Sequence, residues 1–157
     1  MPKLLKIALF LVLGGVVLFF ILRWLVQQAS PMPDNVGVTN GRLQPCPESP
    51  NCVSTQATDE LHAIEPIAYD GATAAAQQKL LAILQADPSY RLISNSPTYI
   101  HAEARTAVWR FSDDVEFTFD EAAGLIHFRS ASRLGYGDAG ANRQRMEAVR
   151  AAFQTTR

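Results

Sequence analysis

Residues 128–145 concentrate the side chains of this chain that could bind a ligand. Arginine, serine, asparagine and aspartate lie where a strand ends, glycines bend the backbone and a helix begins. Free amide groups at a helix start favour an anion, and guanidinium groups bind carboxylate or phosphate through two hydrogen bonds. The stretch therefore predicts an anion site, whose candidate residues are Arg129, Ser130, Ser132, Arg133, Asp138, Asn142 and Arg143.

A structural network is the alternative interpretation of the same residues. Arg129 and Arg133 could pair with nearby aspartates, among them Asp113 and Asp114, and so fix the last helix to the sheet. Asp114 has Arg129 as its expected partner. Asp113 and Asp114 are neighbours in a predicted strand, so their side chains point to opposite faces and do not form a catalytic pair by themselves.

Other chemistries have weaker support. The serines lack a Gly-x-Ser-x-Gly elbow, and the glycines at 135, 137 and 140 lack the surroundings of a dinucleotide site. We assign no catalytic residue, cofactor or metal ligand. The alternative function is a hydrolase that uses Ser132, Arg133, Asp114 and Asp138 in a polar pocket near the last helix.

The two cysteines of the chain, Cys46 and Cys52, lie in a proline-rich loop. In an exported domain, two nearby cysteines are expected to form a disulfide that fixes the shape of the loop. A metal site with His62 is the alternative, but the spacing is not that of a zinc site and no fourth ligand is apparent.

The N-terminus is strongly apolar. Residues 7–22 carry no charge, and with their flanks they reach the roughly 20 residues that a helix needs to cross a bilayer. We predict a membrane anchor over 1–26, a tether over 27–44 and an exported domain over 45–157. Lys3 and Lys6 before the run, against Arg23 after it, favour a single pass through the inner (plasma) membrane with a cytoplasmic N-terminus and a periplasmic or equivalent domain.

A cleaved signal peptide is the alternative to this anchor. The apolar run is long for a signal sequence, and the following residues lack a small side chain three positions before a plausible cleavage point.

Charge limits the choice of partner. Beyond residue 23 the chain has eleven Lys and Arg against fifteen Asp and Glu, a formal charge of −4 (11 − 15). An acidic domain is a poor ligand for nucleic acid, because binding to phosphates requires a basic face. Lys79 is the only lysine in this part of the chain, so its cations are almost all arginines, which suit carboxylate or phosphate.

Hydrophobic patterning predicts an α+β fold. A helix with its N-cap at Asp70 is followed by closely spaced strands, which must run antiparallel, and by a last helix that starts after Asp138. In 115–120 apolar and polar residues alternate, and Asn142 falls on the core-facing stripe of the last helix. We expect a four- to five-stranded antiparallel sheet with two helices packed on one face, preceded by the transmembrane helix.

Three motifs resemble those of one protein family. They are PCPESPNCVS at 45–54, FSDDVEF at 111–117 and RSASRLGYGDAGANRQR at 129–145. Over about 42–154 the chain resembles domain-of-unknown-function family 1499. The resemblance implies a small exported or membrane-associated domain, and it brings no established activity.

From these observations we expect a non-enzymatic domain that binds a lipid, a small anion or a protein partner in envelope maintenance.

Overall fold

The computed structural model describes residues 2–155, which form three helices and eight strands. In chain order these are α1 (Lys3–Gln28), β1 (Val38–Thr39), β2 (Arg42–Leu43), β3 (Cys52–Ser54), β4 (Ile67–Ala68), α2 (Thr73–Ala86), β5 (Tyr90–Ser96), β6 (Tyr99–Arg105), β7 (Ser112–Asp120), β8 (Leu125–Ser132) and α3 (Ala141–Thr155).

The main sheet is antiparallel, with the strand order β3-β8-β7-β6-β5, and β4 also pairs with β8. The α+β prediction is confirmed, with six strands in this sheet rather than four or five. One addition, β3, lies in the segment that we had predicted to be entirely loop. The prolines of that segment end at Pro50, so the amides of Cys52–Ser54 are free to pair with β8.

One face of the sheet carries the hydrophobic core. Val115, Phe117 and Phe119 alternate along β7 and are buried together with residues of both α2 and α3. The buried positions of α3 are Asn142, Met146, Val149 and Phe153, which is the predicted stripe. The packing of two helices on one sheet face is confirmed, and each buried Phe contributes about 1.5–3 kcal/mol through removal of its surface from water.

The start of α2 differs from its prediction. Ala72 occupies the N-cap position and makes no side-chain hydrogen bond, so Asp70 as N-cap was wrong. Gly71 adopts a φ of +84° between Asp70 and the helix, and the N-cap falls two residues later than expected. The Thr73 hydroxyl instead lies 3.0 Å from the Tyr69 hydroxyl.

The predicted tether contains a hairpin. Strands β1 and β2 pair around Asn40 and Gly41, whose φ angles are 53° and 76°. Asn-Gly with both residues at positive φ is the preferred two-residue turn, because its twist matches that of the strands it joins. This hairpin was not predicted, although the Asn-Gly pair is a sequence signal for it.

Helix α1 is apolar, and none of its residues is buried. It has a mean hydropathy of 2.8 over its most apolar window, and none of that window is buried. Its 26 residues extend about 39 Å, enough to cross a bilayer, although a signal sequence satisfies the same criteria. The Arg23 guanidinium donates a hydrogen bond of 2.9 Å to the Val108 carbonyl, and the Phe19 and Trp109 ring centroids are 5.4 Å apart.

Candidate functional site

A set of ionisable side chains lies on the sheet face opposite the helices. They alternate along β6, β7 and β8 with the apolar residues that face the core, as the period of two in a strand requires. We call this set the sheet-face network; its members are His101, Glu103, Asp114, Glu116, Arg129 and Arg133, all almost fully removed from solvent.

Arg133 connects two carboxylates of this network. Its Nε and Nη2 donate to Asp114 Oδ2 and Oδ1 at 2.9 and 2.7 Å, and its Nη1 donates to Glu103 Oε1 at 3.0 Å. The His101 Nε2 lies 2.7 Å from Asp114 Oδ1. Burial alone would raise the pKa of Asp114, but the hydrogen bonds from Arg133 and His101 hold it below its usual range.

The second carboxylate of Arg133 has further partners at the sheet edge. Glu103 Oε2 accepts from Arg91 Nε at 2.9 Å and from Arg105 Nη2 at 2.8 Å. Burial raises the pKa of Glu103, but hydrogen bonds from Ser112 and these two arginines lower it by more. Asp114 and Glu103 are therefore both held as buried carboxylate anions.

Arg129 pairs with Glu116 rather than with Asp114. Its Nη1 donates to Glu116 Oε2 at 2.9 Å, because Arg129 is the cross-strand neighbour of Glu116. Glu116 Oε1 accepts from the Tyr99 hydroxyl at 2.7 Å. Burial and this hydrogen bond raise the pKa of Tyr99, so the phenol stays protonated as a donor. The predicted Asp114–Arg129 pair is not formed.

The segment that follows α1 lies over this network. The Ser30 carbonyl accepts from Arg133 Nη1 at 3.4 Å, and the Gly37 amide donates to Glu116 Oε1 at 2.5 Å. Leu43 is buried, and its amide donates to the Gln56 side chain at 2.9 Å. We call residues 29–44 the covering segment, because its contacts exclude water from the charged face.

A second polar cluster lies on the other face of β8, where α3 begins. We call it the helix-start network; its members are Asn51, Asp113, Ser130, Ser132, Asp138, Asn142 and Arg145. The Asn142 side-chain amide lies 2.9 Å from both the Asn51 carbonyl and the Ser132 hydroxyl. Arg145 donates to Asn142 Oδ1 and to Asp113 Oδ2.

Asp138 holds the beginning of α3. Its carboxylate accepts from the backbone amides of Gly140 at 2.9 Å and Asn142 at 2.7 Å. The helix itself begins at Ala141, so the prediction of a start after Asp138 is confirmed. Because the carboxylate already occupies these amides, an external anion at this helix start would have to displace it.

Strand β8 separates the predicted site residues. Arg129 and Arg133 lie on the face of the covering segment, whereas Ser130, Ser132 and Asn142 lie on the face of the helices. The period of two in the strand imposes this separation.

Arg143 belongs to neither network. Its guanidinium donates to the Ala63 carbonyl at 2.9 Å and to the Leu61 carbonyl at 3.1 Å.

The adjacent aspartates take opposite roles. Asp113 faces α3 and pairs with Arg145, while Asp114 faces the covering segment and pairs with Arg133. The expectation that they point to opposite faces is confirmed.

Five members of the two networks were not among the predicted site residues: Glu103, His101, Glu116, Arg145 and Asn51. A signal was available for the first three. Along β6, His101 and Glu103 alternate with apolar residues, and Glu116 does the same on the neighbouring strand. Antiparallel pairing of the two strands gathers these groups on one face. Nothing local in the sequence showed that a distant segment covers that face.

Cys46 and Cys52 form a disulfide, as predicted. His62 is occupied elsewhere, with its Nδ1 2.7 Å from Asp59 Oδ1 and its Nε2 3.2 Å from the Ser49 carbonyl. The bridged loop carries Asn51, whose side-chain amide donates to the Gly135 carbonyl at 2.6 Å. The disulfide therefore fixes one partner of the helix-start network.

An open polar cleft lies beside the β1–β2 hairpin, with a volume of about 740 Å³. Threonine hydroxyls and the His127 imidazole line it, together with Arg42. The His127 Nδ1 is 3.1 Å from the Thr55 hydroxyl, and burial lowers the pKa of His127, which favours the neutral ring. The cleft could accept hydrogen bonds from, or donate them to, a small polar ligand.

The comparisons with known proteins give a family without an activity. No curated protein matches this chain. The family described as "protein of unknown function (DUF1499)" matches residues 42–153, which include the disulfide loop and all residues of both networks. The chain therefore belongs to the DUF1499 family.

Proposed function

We propose that this protein is a single-pass membrane protein whose extracytoplasmic domain binds a lipid, a small anion or a protein partner without catalysing a reaction. Residues 1–26 anchor the chain, 27–44 connect the anchor to the domain and 45–157 form the exported domain. The observation that carries the proposal is that an apolar helix with no buried residue directly contacts a disulfide-bonded domain. Disulfides persist on the oxidising side of a membrane.

Orientation follows from charge and redox state together. Lys3 and Lys6 precede the apolar run and favour an N-terminus in the cytoplasm, which leaves the domain in the periplasm or an equivalent compartment. The Cys46–Cys52 bridge agrees with that side.

Binding is favoured over hydrolysis by the partners of the polar groups. The Ser132 hydroxyl contacts the Asn142 amide, and within residues 2–155 no histidine or carboxylate accepts its proton. The carboxylates Asp114 and Glu103 are held as anions by arginines. A nucleophilic serine needs a base within hydrogen-bond reach, and a general acid needs a raised pKa.

Arg143 is the best-supported anion ligand among the predicted residues. The charge of Arg133 is compensated by two buried carboxylates, whereas the Arg143 guanidinium contacts only neutral carbonyls among the described residues. An anion at Arg133 would have to displace those carboxylates in a medium of low dielectric constant. An anion at Arg143 meets no such competition.

Membrane fractionation tests the anchor. We expect the full chain to stay with membranes after an alkaline carbonate wash, and its thiols to react with a membrane-impermeant reagent only after reduction. Release by the wash, or a mature N-terminus beyond residue 26, would contradict the anchor. Reaction of unreduced Cys46 or Cys52 would contradict the oxidising location.

Thermal unfolding tests the anion site. Phosphate should raise the Tm of the wild-type chain in mild detergent more than an equal ionic strength of chloride does, and Arg143→Ala should remove the difference. Arg150→Ala is the matched control, because Arg150 is a partly exposed arginine of the same helix that pairs with Glu147. An equal phosphate effect in wild type and Arg143→Ala would exclude the site.

A further inference from the structure

One end of the sheet carries exposed apolar and aromatic side chains. The loop of residues 106–111 joins β6 to β7 and presents Val108, Trp109 and Phe111, of which Val108 is 56% exposed. The loop of residues 133–137 leaves β8 at the same end, because the Arg133 amide donates to the Ser112 carbonyl at the start of β7. This second loop presents Leu134 and Tyr136, and Tyr136 is 77% exposed.

This end of the sheet is also the end that contacts α1. Arg23 donates to the Val108 carbonyl, and the Phe19 ring packs against Trp109. The chain that leaves α1 reaches the same end, where the Ser30 carbonyl contacts Arg133. The first loop therefore contacts the C-terminal part of the apolar helix, and the second loop lies at the same end of the sheet.

The position of these contacts along α1 determines how deep Trp109 would lie in a membrane. Arg23 is the first charged residue after the apolar run, so in a membrane its guanidinium belongs at the headgroup level. Phe19 is four residues earlier, about 6 Å deeper along the helix axis. A Trp109 ring that packs on Phe19 therefore lies in the interfacial layer or just below it.

The side chains of the loops suit that layer. Tryptophan and tyrosine are enriched at membrane interfaces, because one part of each ring system is apolar and the other can donate a hydrogen bond. Arg110 lies beside Trp109, and among residues 2–155 its guanidinium has no hydrogen-bond or ion-pair partner. Near an anionic lipid surface such a cation contributes about 1 kcal/mol.

The backbone of the first loop is held in an uncommon conformation. Arg110 has a φ of 62°, which costs a residue with a Cβ about 1–2 kcal/mol. The turn is closed by a hydrogen bond of 3.2 Å from the Arg110 amide to the Thr106 carbonyl. The positive φ lies between Trp109 and Phe111, and both remain exposed. Scattered apolar residues on a surface need no explanation, but a cluster beside an apolar helix indicates an interaction surface.

We propose that residues 106–111 and 134–137 dip into the interfacial layer of the lipid bilayer and form a second membrane contact of the domain. The proposal rests on the membrane anchor argued under Proposed function. The partner is the lipid interface, with Trp109 and Tyr136 between headgroups and upper acyl chains and Arg110 at the phosphates. The contact fixes the orientation of the domain on the membrane, with the β7–β8 turn directed away from the bilayer.

Fluorescence quenching in vesicles tests this contact. The full chain with Trp24→Phe retains Trp109 as its only tryptophan. It is reconstituted in vesicles of phosphatidylcholine and phosphatidylglycerol, with and without phosphatidylcholine brominated at the upper acyl-chain carbons. We expect the brominated lipid to remove most of the Trp109 emission, and aqueous iodide to have little effect.

Two further single-tryptophan chains give the matched comparison. Both carry Trp24→Phe and Trp109→Phe; one adds Tyr136→Trp in the second loop, and the other adds Glu121→Trp in the β7–β8 turn at the opposite end of the sheet. We expect brominated lipid to quench the first strongly and the second not at all. Because Trp109 is retained in the Trp24→Phe chain, the test does not depend on the double replacement folding.

Each outcome decides the proposal. If Trp109 resists brominated lipid in a chain that remains in the vesicles after a carbonate wash, the second contact is absent although the anchor stands. Trp109 shielded from both brominated lipid and iodide would assign the surface to a protein partner or a second copy, and would overturn the lipid contact. If the chain washes off the vesicles, the membrane anchor itself fails.

Discussion

The two faces of the sheet are both buried, but they are buried in different ways. The face toward α2 and α3 is covered by apolar side chains, such as Phe117 and Phe128, whose packing is non-directional. The other face is covered by the covering segment and holds paired charges, with Asp114 and Glu103 each about 1% exposed. Charges taken out of water are tolerated only with nearly complete pairing.

The difference shows which face of the sheet depends on particular side-chain pairs. An apolar core accepts exchange of side chains of similar volume at small cost. In the sheet-face network each charge depends on particular partners in a fixed geometry, as Asp114 does on Arg133 and His101. Arg129 already has one buried Nε without a hydrogen bond among the described residues. We therefore expect volume-conserving substitutions to cost less on the apolar face than on the charged face.

The largest expected effect is the loss of stability when one key side chain of either face is removed, and its pH dependence distinguishes the two faces. Phe117→Ala and Arg133→Ala should each destabilise the domain by about 3–5 kcal/mol near neutral pH, the first through a cavity and the second through unpaired buried carboxylates. Without Arg133, burial raises the pKa of Asp114. The loss in Arg133→Ala should therefore shrink as the pH falls and the stranded carboxylate is protonated. Denaturant unfolding across pH 7 to 4 measures both.

The pH dependence of wild-type stability is the reference for this comparison. The pKa of Asp114 is lowered on folding, so its stabilisation is complete above the unfolded pKa of about 4 and is lost as the pH falls toward the folded value. Phe117→Ala should follow the wild-type pH dependence. Parallel pH curves for wild type and both variants would mean that Arg133 acts through packing alone.

Leu43→Ala tests whether the covering segment is part of the folded domain. Leu43 is 5% exposed, and its truncation should lower stability by about 2–3 kcal/mol if the segment stays on the charged face. Val38→Ala is the matched control, because Val38 lies on the same hairpin and is exposed. A loss below about 0.5 kcal/mol, within the range of ordinary surface changes, would indicate a segment that detaches freely.

Removal of the disulfide should have a smaller effect. Cys46→Ala with Cys52→Ala opens a short loop, and the chain-entropy relation gives about 2 kcal/mol for its closure. The effect should appear on the helix side, because the loop positions Asn51 against Asn142. Hydrogen exchange should show faster opening at the start of α3 and little change in β5–β6. Equal acceleration everywhere would contradict a local role.

Asp138→Ala should give the smallest change, about 1 kcal/mol, because two backbone amides at the start of α3 lose their acceptor. Asp138→Asn is the control that keeps an acceptor oxygen, and it should recover most of the loss. Thermal unfolding resolves the difference. If Asn were as harmful as Ala, the charge rather than the cap would be responsible.

The helix face could be derived from the sequence, because local periodicity encodes it. The alternation of Val115, Phe117 and Phe119 and the stripe of α3 each lie within one element. The charged face depends on pairing across elements. Asp114 is near Arg133 because β7 pairs with β8, and Glu103 joins them through the register of β6, which no local pattern specifies.

The contacts of the covering segment could not be predicted from the sequence for a different reason. Ser30 and Gly37 contact the network through backbone groups, which every residue carries, so their side chains give no signal. Only the Asn40–Gly41 pair indicated structure in this part of the chain. The partition of the predicted anion residues between two faces followed from the period of β8 and could have been deduced once its bounds were known.

The short connection after α1 limits how far the domain can move from this helix. A free linker over 27–44 would extend to about 60 Å at 3.3–3.6 Å per residue. Here α1 ends at Gln28, and the Ser30 carbonyl already contacts Arg133. Almost no flexible linker therefore separates the helix from the domain. If α1 anchors the chain as proposed, the domain stays at the bilayer surface. An anchored domain of this kind would meet molecules that lie in the membrane or reach its surface, so the encounter would be a search in two dimensions rather than three.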